Sequence, residues 1–239
     1  MFLLPLAEVP NHAPASEPVS VASTPETDEI DQLFDDMQLD GIVSYTAFRQ
    51  AVTGYQKIEQ KSKSIMTLID FSKPSTEKRL YVLDMKNKKL LYTSVVSHGK
   101  NSGGNYATSF SNKNGSYKSS LGFYLTENTY QGRNGYSLVL NGLEKGINDC
   151  ARERAIVVHG AAYANPSVCR GGRLGRSFGC PALPQALTKP IINTIKGGSV
   201  LFIYANNKEY MAKSTILPSL QPQELFSETR KTTNRASSF

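Results

Sequence analysis

The spacing of apolar positions changes period near residue 63. Upstream, Ile30, Leu33, Phe34 and Met37 fall at i, i+3, i+4 and i+7, one face of a helix. Asp28 and Glu29 suit the positive end of its dipole, and Asp40-Gly41 breaks it. Ser44 caps a second helix whose apolar face is Phe48, Ala51, Val52, Tyr55 and Ile58. Residues 28–63 therefore read as a pair of helices appended to the main domain. Before them, residues 1–27 are rich in Pro, Ala, Ser, Glu and Thr and read as a disordered linker or a signal remnant. The opening run Met1–Leu6 is apolar, but it lacks the basic start and the apolar stretch of roughly 7–15 residues that a secretory signal requires.

Past Lys63 the pattern is that of strands separated by polar turns. Ile65–Phe71, Leu80–Met85 and Leu90–Ser97 come first, with Ser72–Ser75 and Asn87 in the turns. Residues 98–120 are rich in Gly, Ser and Asn and almost free of aliphatic side chains, which marks a functional loop. Strands resume at Leu121–Thr126, Ser137–Leu140, Ala155–His159 and Ser199–Tyr204. A late helix is expected from Thr188 as cap, with Pro190 in its first turn, to Lys196, with Gly197 past its end. The expected fold is mostly β: an antiparallel β-sandwich or flattened barrel, with the N-terminal helix pair and one helix after residue 180. Residues 213–239 read as a polar tail.

The chain has 239 residues and a net charge of +7, with no run of basic residues interleaved with aromatics. That pattern argues against a nucleic-acid face and for scattered surface charge. No stretch approaches the ~20 apolar residues of a transmembrane helix. The three cysteines are Cys150, Cys169 and Cys180. They allow either a Cys150–Cys169 bridge with Cys180 free, or three reduced thiols. His98, His159 and Cys180 lack the spacing of a zinc site, and no phosphate-binding loop is present, so neither a metal nor a cofactor is expected.

Two segments concentrate candidate chemistry: Ile156–Gly160, ending in His159-Gly160, and Gly175–Pro181, containing Ser177-Phe178-Gly179-Cys180. A buried strand ending in His-Gly presents an imidazole at a sheet edge. A Ser-x-Gly-Cys turn presents a thiol, and the amides of Phe178, Gly179 and Cys180 are candidates for an oxyanion site. Cys180 is the candidate nucleophile and His159 its base. Gly160 supplies a carbonyl able to fix the imidazole tautomer, and Ser177 a hydroxyl able to hold the pair in register. His98 is either a second functional imidazole or a turn residue. Tyr106, Tyr117 and Tyr163 are candidate cleft residues.

These two phrases, about twenty residues apart, resemble the murein L,D-transpeptidase catalytic domain-like family. The likeness extends over roughly residues 65–205 and includes Asp70–Ser75, Arg79–Gly99, Ser109–Gly122 and Arg173–Pro181. It implies a catalytic domain over 64–212 and cysteine-dependent acyl transfer on peptidoglycan stem peptides, without a cofactor. The bond attacked would join diaminopimelate to D-alanine, through a thioester. The product would depend on the acceptor: another stem, water (an L,D-carboxypeptidase or amidase) or an envelope-protein lysine. A non-catalytic wall-binding module is the alternative from another class. The implied location is the cell envelope, periplasmic or secreted. Better-known members carry an Arg two residues after the cysteine, where this chain has Pro181-Ala182, and a Thr-Pro-x-Gly phrase where it has Ser119–Gly122. Arg173 and Arg176 are the candidate replacements for binding a substrate carboxylate.

Overall fold

The computed structural model describes residues 25–169 and 171–218. Most of the expected linker, up to residue 24, and the tail from 219 lie outside the described residues. Two helices open the chain, α1 (Pro25–Asp36) and α2 (Tyr45–Lys57). The Ser44 hydroxyl accepts the Ala47 amide at the start of α2. This satisfies one of the donors that every helix start leaves unpaired. Ile30 and Phe34 of α1 and Phe48, Ala51 and Val52 of α2 are buried together, with Phe34 edge-on to Phe48.

Eight strands form one sheet: β1 (Ile65–Asp70), β2 (Leu80–Asp84), β3 (Lys89–Ser94), β4 (Gly122–Gly132), β5 (Gly135–Gly142), β6 (Val157–Gly160), β7 (Ala182–Leu183) and β8 (Val200–Tyr204). Their order is β3-β2-β1-β8-β4-β5-β6-β7. All neighbours are antiparallel except β1 with β8 and β6 with β7. The central strand β8 is buried at every position, as a strand covered on both faces must be. Just past β3, Ser97 bridges to Ala182 of β7, and Gly99 bridges to Ser177. These two bridges tie one edge of the sheet to the other, so it curls into a nearly closed barrel. The mostly β, flattened-barrel expectation holds.

Three local expectations change. The late helix α3 spans Gln185–Ile195, with Pro184 as its N-cap and Pro190 inside it. Thr188 therefore lies within the helix, where its hydroxyl donates to the Pro184 carbonyl. Pro190 cannot donate its helical bond, but Thr188, Ile191, Ile192 and Ile195 bury that face, and packing outweighs propensity. The β4–β5 hairpin runs through polar residues to Gly132 and turns at Gly135, whose φ of +74° lies in the left-handed region. A short helix, α4 (Lys208–Lys213), comes after β8, and Leu217 beyond it is buried.

The helix pair docks on the sheet through a close approach at Gly54. A Cβ there would lie 2.0 Å from Phe123 Cζ, and Phe123 is stacked on Phe202 at 4.1 Å between ring centroids. Helix propensity favours Ala over Gly by ~1 kcal/mol, whereas overpacking a core costs typically ~1–3 kcal/mol. The clash is with a ring already stacked on another ring, so overpacking wins. Gly54→Ala is expected to lower the melting temperature by several degrees. A variant that melts at or above wild type would show that α2 does not rest on Phe123.

Candidate active site

β6 delivers His159. Its backbone pairs with Ser137 of β5 on one side and Ala182 of β7 on the other, and its amide donates to the Pro181 carbonyl at 3.4 Å. Strand pairing thus sets the imidazole next to the segment that leaves Cys180. His159 is buried, with Nδ1 3.0 Å from the Gly160 carbonyl oxygen. A carbonyl only accepts, so Nδ1 carries the proton and Nε2 presents a lone pair. Nε2 makes no hydrogen bond among the described residues. Burial holds the imidazole below its ordinary pKa, against a smaller opposing pull from the Gly160 bond. Gly160 has to be glycine, because a Cβ there would lie 2.5 Å from Thr188 Oγ1 of α3.

The Ser-x-Gly-Cys turn is held by its own serine. Ser177 Oγ donates to the Cys180 carbonyl at 2.6 Å and accepts the Gly179 amide at 3.0 Å. Gly179 sits at φ +132°, where a Cβ would come within 2.9 Å of both Ile156 Cδ1 and the Lys118 carbonyl. The Gly179 amide is therefore already engaged. Of the three candidate oxyanion donors, the amides of Phe178 and Cys180 remain. From outside, the Ser177 amide donates to His98 O at 2.9 Å, and the Lys100 amide donates to Ser177 O at 2.8 Å. Ser119 Oγ donates to Gly179 O and accepts the Gly99 amide, each at 3.0 Å. Ser119 thus stitches the polar loop to the cysteine turn, a role with no signal in its local sequence.

The Cys180 thiol is half-buried and donates to the Ala155 carbonyl at 3.5 Å. Ala155 takes φ +52°, a left-handed conformation that costs a residue with a Cβ roughly 1–2 kcal/mol. Such strain recurs at functional sites. Burial pushes the thiol above its ordinary range. The Val157 amide, the Arg154 guanidinium and its own amide pull the other way. Burial thus biases the Cys180 thiol and the His159 imidazole, each by itself, toward the uncharged form.

The other candidates divide by geometry. Tyr163 packs against Gly175 and is coupled to Cys180, its phenol pushed up to about 12 by burial first and the thiol second. Tyr106 and Tyr117 are exposed, as is Phe178, and Phe178 lies 4.9 Å from Tyr117 with Lys100 Nζ over both rings. Arg176 donates to the carbonyls of Lys100 (2.9 Å) and Gly103 (2.7 Å), and Arg173 to that of Leu174. His98 is fully buried, with Nδ1 2.8 Å from Arg79 Nη2. The guanidinium is the donor, so His98 Nδ1 accepts and the ring is neutral. Burial, then Arg79, pushes its pKa down to about 4. All three cysteines are free, so the Cys150–Cys169 bridge is not formed. Among the described residues no group of His, Cys, Asp and Glu is arranged to hold a metal, and no helix is long and apolar enough to cross a membrane.

Arg154 carried no sequence signal. Its guanidinium donates to Ser111 O (2.8 Å), Ser120 Oγ (2.5 Å), Lys118 O (2.6 Å) and Ser116 Oγ (3.3 Å). It lies behind the cysteine turn, 3.4 Å from where a Cβ on Gly179 would stand.

The chain belongs to the L,D-transpeptidase catalytic domain family, whose model matches residues 40–204. The match takes in α2 as well as the barrel. No curated protein matches the chain. Among solved structures, an L,D-transpeptidase from Mycobacterium smegmatis is 13% identical with a TM-score of 0.38, over 59% of each chain. L,D-transpeptidase 3 from Mycobacterium tuberculosis is 12% identical with a TM-score of 0.38, over 59% of this chain and 61% of that one. An L,D-transpeptidase from Stackebrandtia nassauensis is 14% identical with a TM-score of 0.37, over 75% and 77%. The chain spans less than two thirds of the length of the two mycobacterial structures.

The burial of the thiol has a direct consequence. A thiol raised above its ordinary 9.0 is mostly protonated at neutral pH, so its alkylation should climb with pH past 9. Iodoacetamide rates at Cys180, read by peptide mass from pH 5 to 10, are expected to rise without an acid plateau. A rate that stays flat down to pH 5 would reveal a preformed ion pair and contradict a thiol raised by burial.

Proposed function

We propose that this domain catalyses cysteine-dependent acyl transfer on peptidoglycan stem peptides, with Cys180 as nucleophile and His159 as base. The observation that carries the reading is the β6–β7 pairing, which sets His159, with its Nε2 lone pair open, beside the turn bearing Cys180. As substrate binds, the Cys180 proton passes to His159 Nε2. The sulfur attacks the carbonyl carbon between diaminopimelate and D-alanine. The amides of Phe178 and Cys180, the two of the turn not already engaged by Ser177, are the donors proposed for the oxyanion. The C–N bond breaks, His159 returns the proton to the D-alanine amine, and a thioester remains on Cys180. An acceptor amine then attacks the thioester while His159 takes its proton, and the thiolate leaves. Gly160 and Ser177 take part by position, one fixing the imidazole tautomer and the other the turn.

A stem-peptide amine as acceptor gives a crosslink, water gives L,D-carboxypeptidase or amidase activity, and an envelope-protein lysine gives a tether to the wall. The place of action is the cell envelope, where such substrates lie. Arg173 and Arg176 belong to the loop that leads into Cys180 and are the proposed readers of the substrate's free carboxylate.

The test is incubation of the protein with disaccharide-tetrapeptide and measurement of product masses. A dimer lacking one D-alanine identifies transfer, and tripeptide with free D-alanine identifies hydrolysis. Either should fall by at least about a thousandfold in Cys180→Ala, as for loss of a nucleophile acting in concert with its base. Arg173→Ala and Arg176→Ala should each cost roughly ten- to a hundredfold in kcat/KM, a penalty that vanishes on substrate with an amidated diaminopimelate. Unchanged tetrapeptide with the wild-type protein would reject the proposal and leave a wall-binding module.

A further inference from the structure

Of the cations around the cysteine turn, most have another occupation. Arg176 is tied to two carbonyls of the 100–103 segment, Lys100 sits over the rings of Tyr117 and Phe178, and Arg79 is buried against Val96 and His98. Arg154 is likewise bonded only to neutral groups, but of these cations it is the one whose charge acts on Cys180. Its four partners are two carbonyls and two hydroxyls, all neutral. They satisfy its N–H groups without compensating its charge, and it has no carboxylate partner among the described residues. Half withdrawn from water, it would hold a nearby anion more strongly than an exposed cation does. The ionisable groups that feel its charge are Tyr124, Cys180 and Cys150. Tyr124 is fully buried and its phenol is driven well above its ordinary range, so it stays neutral.

Chain geometry brings the segment that bears the cation beside the segment that bears the thiol. Ala155, the residue after Arg154, supplies the carbonyl that accepts the Cys180 proton. Gly179, the residue before Cys180, passes so close that a Cβ there would lie 3.4 Å from Arg154 Nη2. The guanidinium is fixed in place by the loop it bonds, Ser111 to Ser120, which also holds Gly179 through Ser119.

We propose that Arg154 is a positioning residue that stabilises the Cys180 thiolate once its proton has gone to the base. The inference rests on Cys180 being the nucleophile of the proposed reaction. Arg154 acts through the sulfur rather than on the substrate in this proposal. In the resting state its field only partly offsets the burial of the thiol. Its larger effect comes when negative charge on sulfur develops, on attack and again when the acceptor expels the thiolate. The same guanidinium, by bonding the serine loop, keeps the polar arch in register with the cysteine turn. Charge and hydrogen bonding can be separated by substitution.

Alkylation of Cys180 against pH, read by mass in the full chain, makes that separation without needing turnover. Arg154→Gln keeps hydrogen-bonding groups and loses the charge. Its alkylation at neutral pH is expected to fall about five- to tenfold, with the profile displaced to higher pH, as removal of a near cation requires. Arg154→Lys keeps the charge and should stay within about twofold of wild type. Arg152→Gln, which removes an exposed partner of Glu127, should match wild type. A wild-type profile in Arg154→Gln overturns the proposal. So does a fall in Arg154→Lys as deep as in Arg154→Gln, which would reduce Arg154 to a loop clamp. If Arg154→Gln fails to fold, by its melting curve, Arg154→Lys decides: a folded Lys variant that loses thiol reactivity overturns the proposal, and one that retains it supports it. Should wild type leave tetrapeptide unchanged while the alkylation pattern holds, the proposed reaction falls and the Arg154–Cys180 coupling stands.

Discussion

The structure depends on the seam where the barrel closes. Ser97 and Ala182 exchange backbone hydrogen bonds, Gly99 pairs with Ser177, and Ser119 Oγ reaches Gly179 O. Without these contacts β3 and β7 would be open edges, and the cysteine turn would hang from a two-residue strand. Each such bond contributes only about 0.5–1.5 kcal/mol net, but most lie where water cannot replace them, so leaving one unmade costs more. The seam is anchored in turn from the inside. Arg79, completely buried, donates through Nε and Nη2 to the Val96 carbonyl, one residue before Ser97. Burial pulls its pKa down to about 9, with Asp70 resisting, so it remains charged at neutral pH. His98, neutral, accepts from it.

That anchoring explains why two imidazoles of similar local sequence, His98-Gly99 and His159-Gly160, have different environments. His98 turns inward and accepts from a guanidinium, which keeps it unprotonated and leaves its ring no part at the thiol. His159 sits at the end of β6, where Nδ1 is taken by the next carbonyl and Nε2 stays open. Burial works on both Cys180 and His159 in the sense that keeps them uncharged. In the proposed reaction, charge separation is deferred until a substrate displaces water from the site. On that proposal the Arg154 cation and the amides of Phe178 and Cys180 gain strength at that moment, because the local dielectric has fallen.

Much of this was legible in the sequence, for identifiable reasons. The helix pair has a clean 3.6-residue period and a capping serine. The buried strands are continuous apolar runs, and His-Gly and Ser-x-Gly-Cys are local phrases whose glycines are sterically required. What could not be read is what depends on distant segments. The outer half of the β4–β5 hairpin is polar because it projects from the barrel, so it has no apolar alternation to betray it. β7 is two residues long and exists because β6 pairs with it. Thr188 and Pro190 carry the marks of a helix start, but α3 begins at Gln185, because buried isoleucines hold the helix around them. Arg154 and Ser119 act through backbone carbonyls far away in sequence, and neither has a neighbour that announces its role.

The central claim is that Cys180, not Cys150 or Cys169, takes up the acyl group. Mixing the protein with disaccharide-tetrapeptide, quenching in acid within the first turnovers and mapping the modified peptide by mass tests it most directly. The account predicts an adduct on Cys180 with the mass of the tetrapeptide substrate less D-alanine, labile to hydroxylamine as a thioester should be and absent in Cys180→Ala. An adduct on Cys150 or Cys169, or continued product formation by Cys180→Ala, would contradict it.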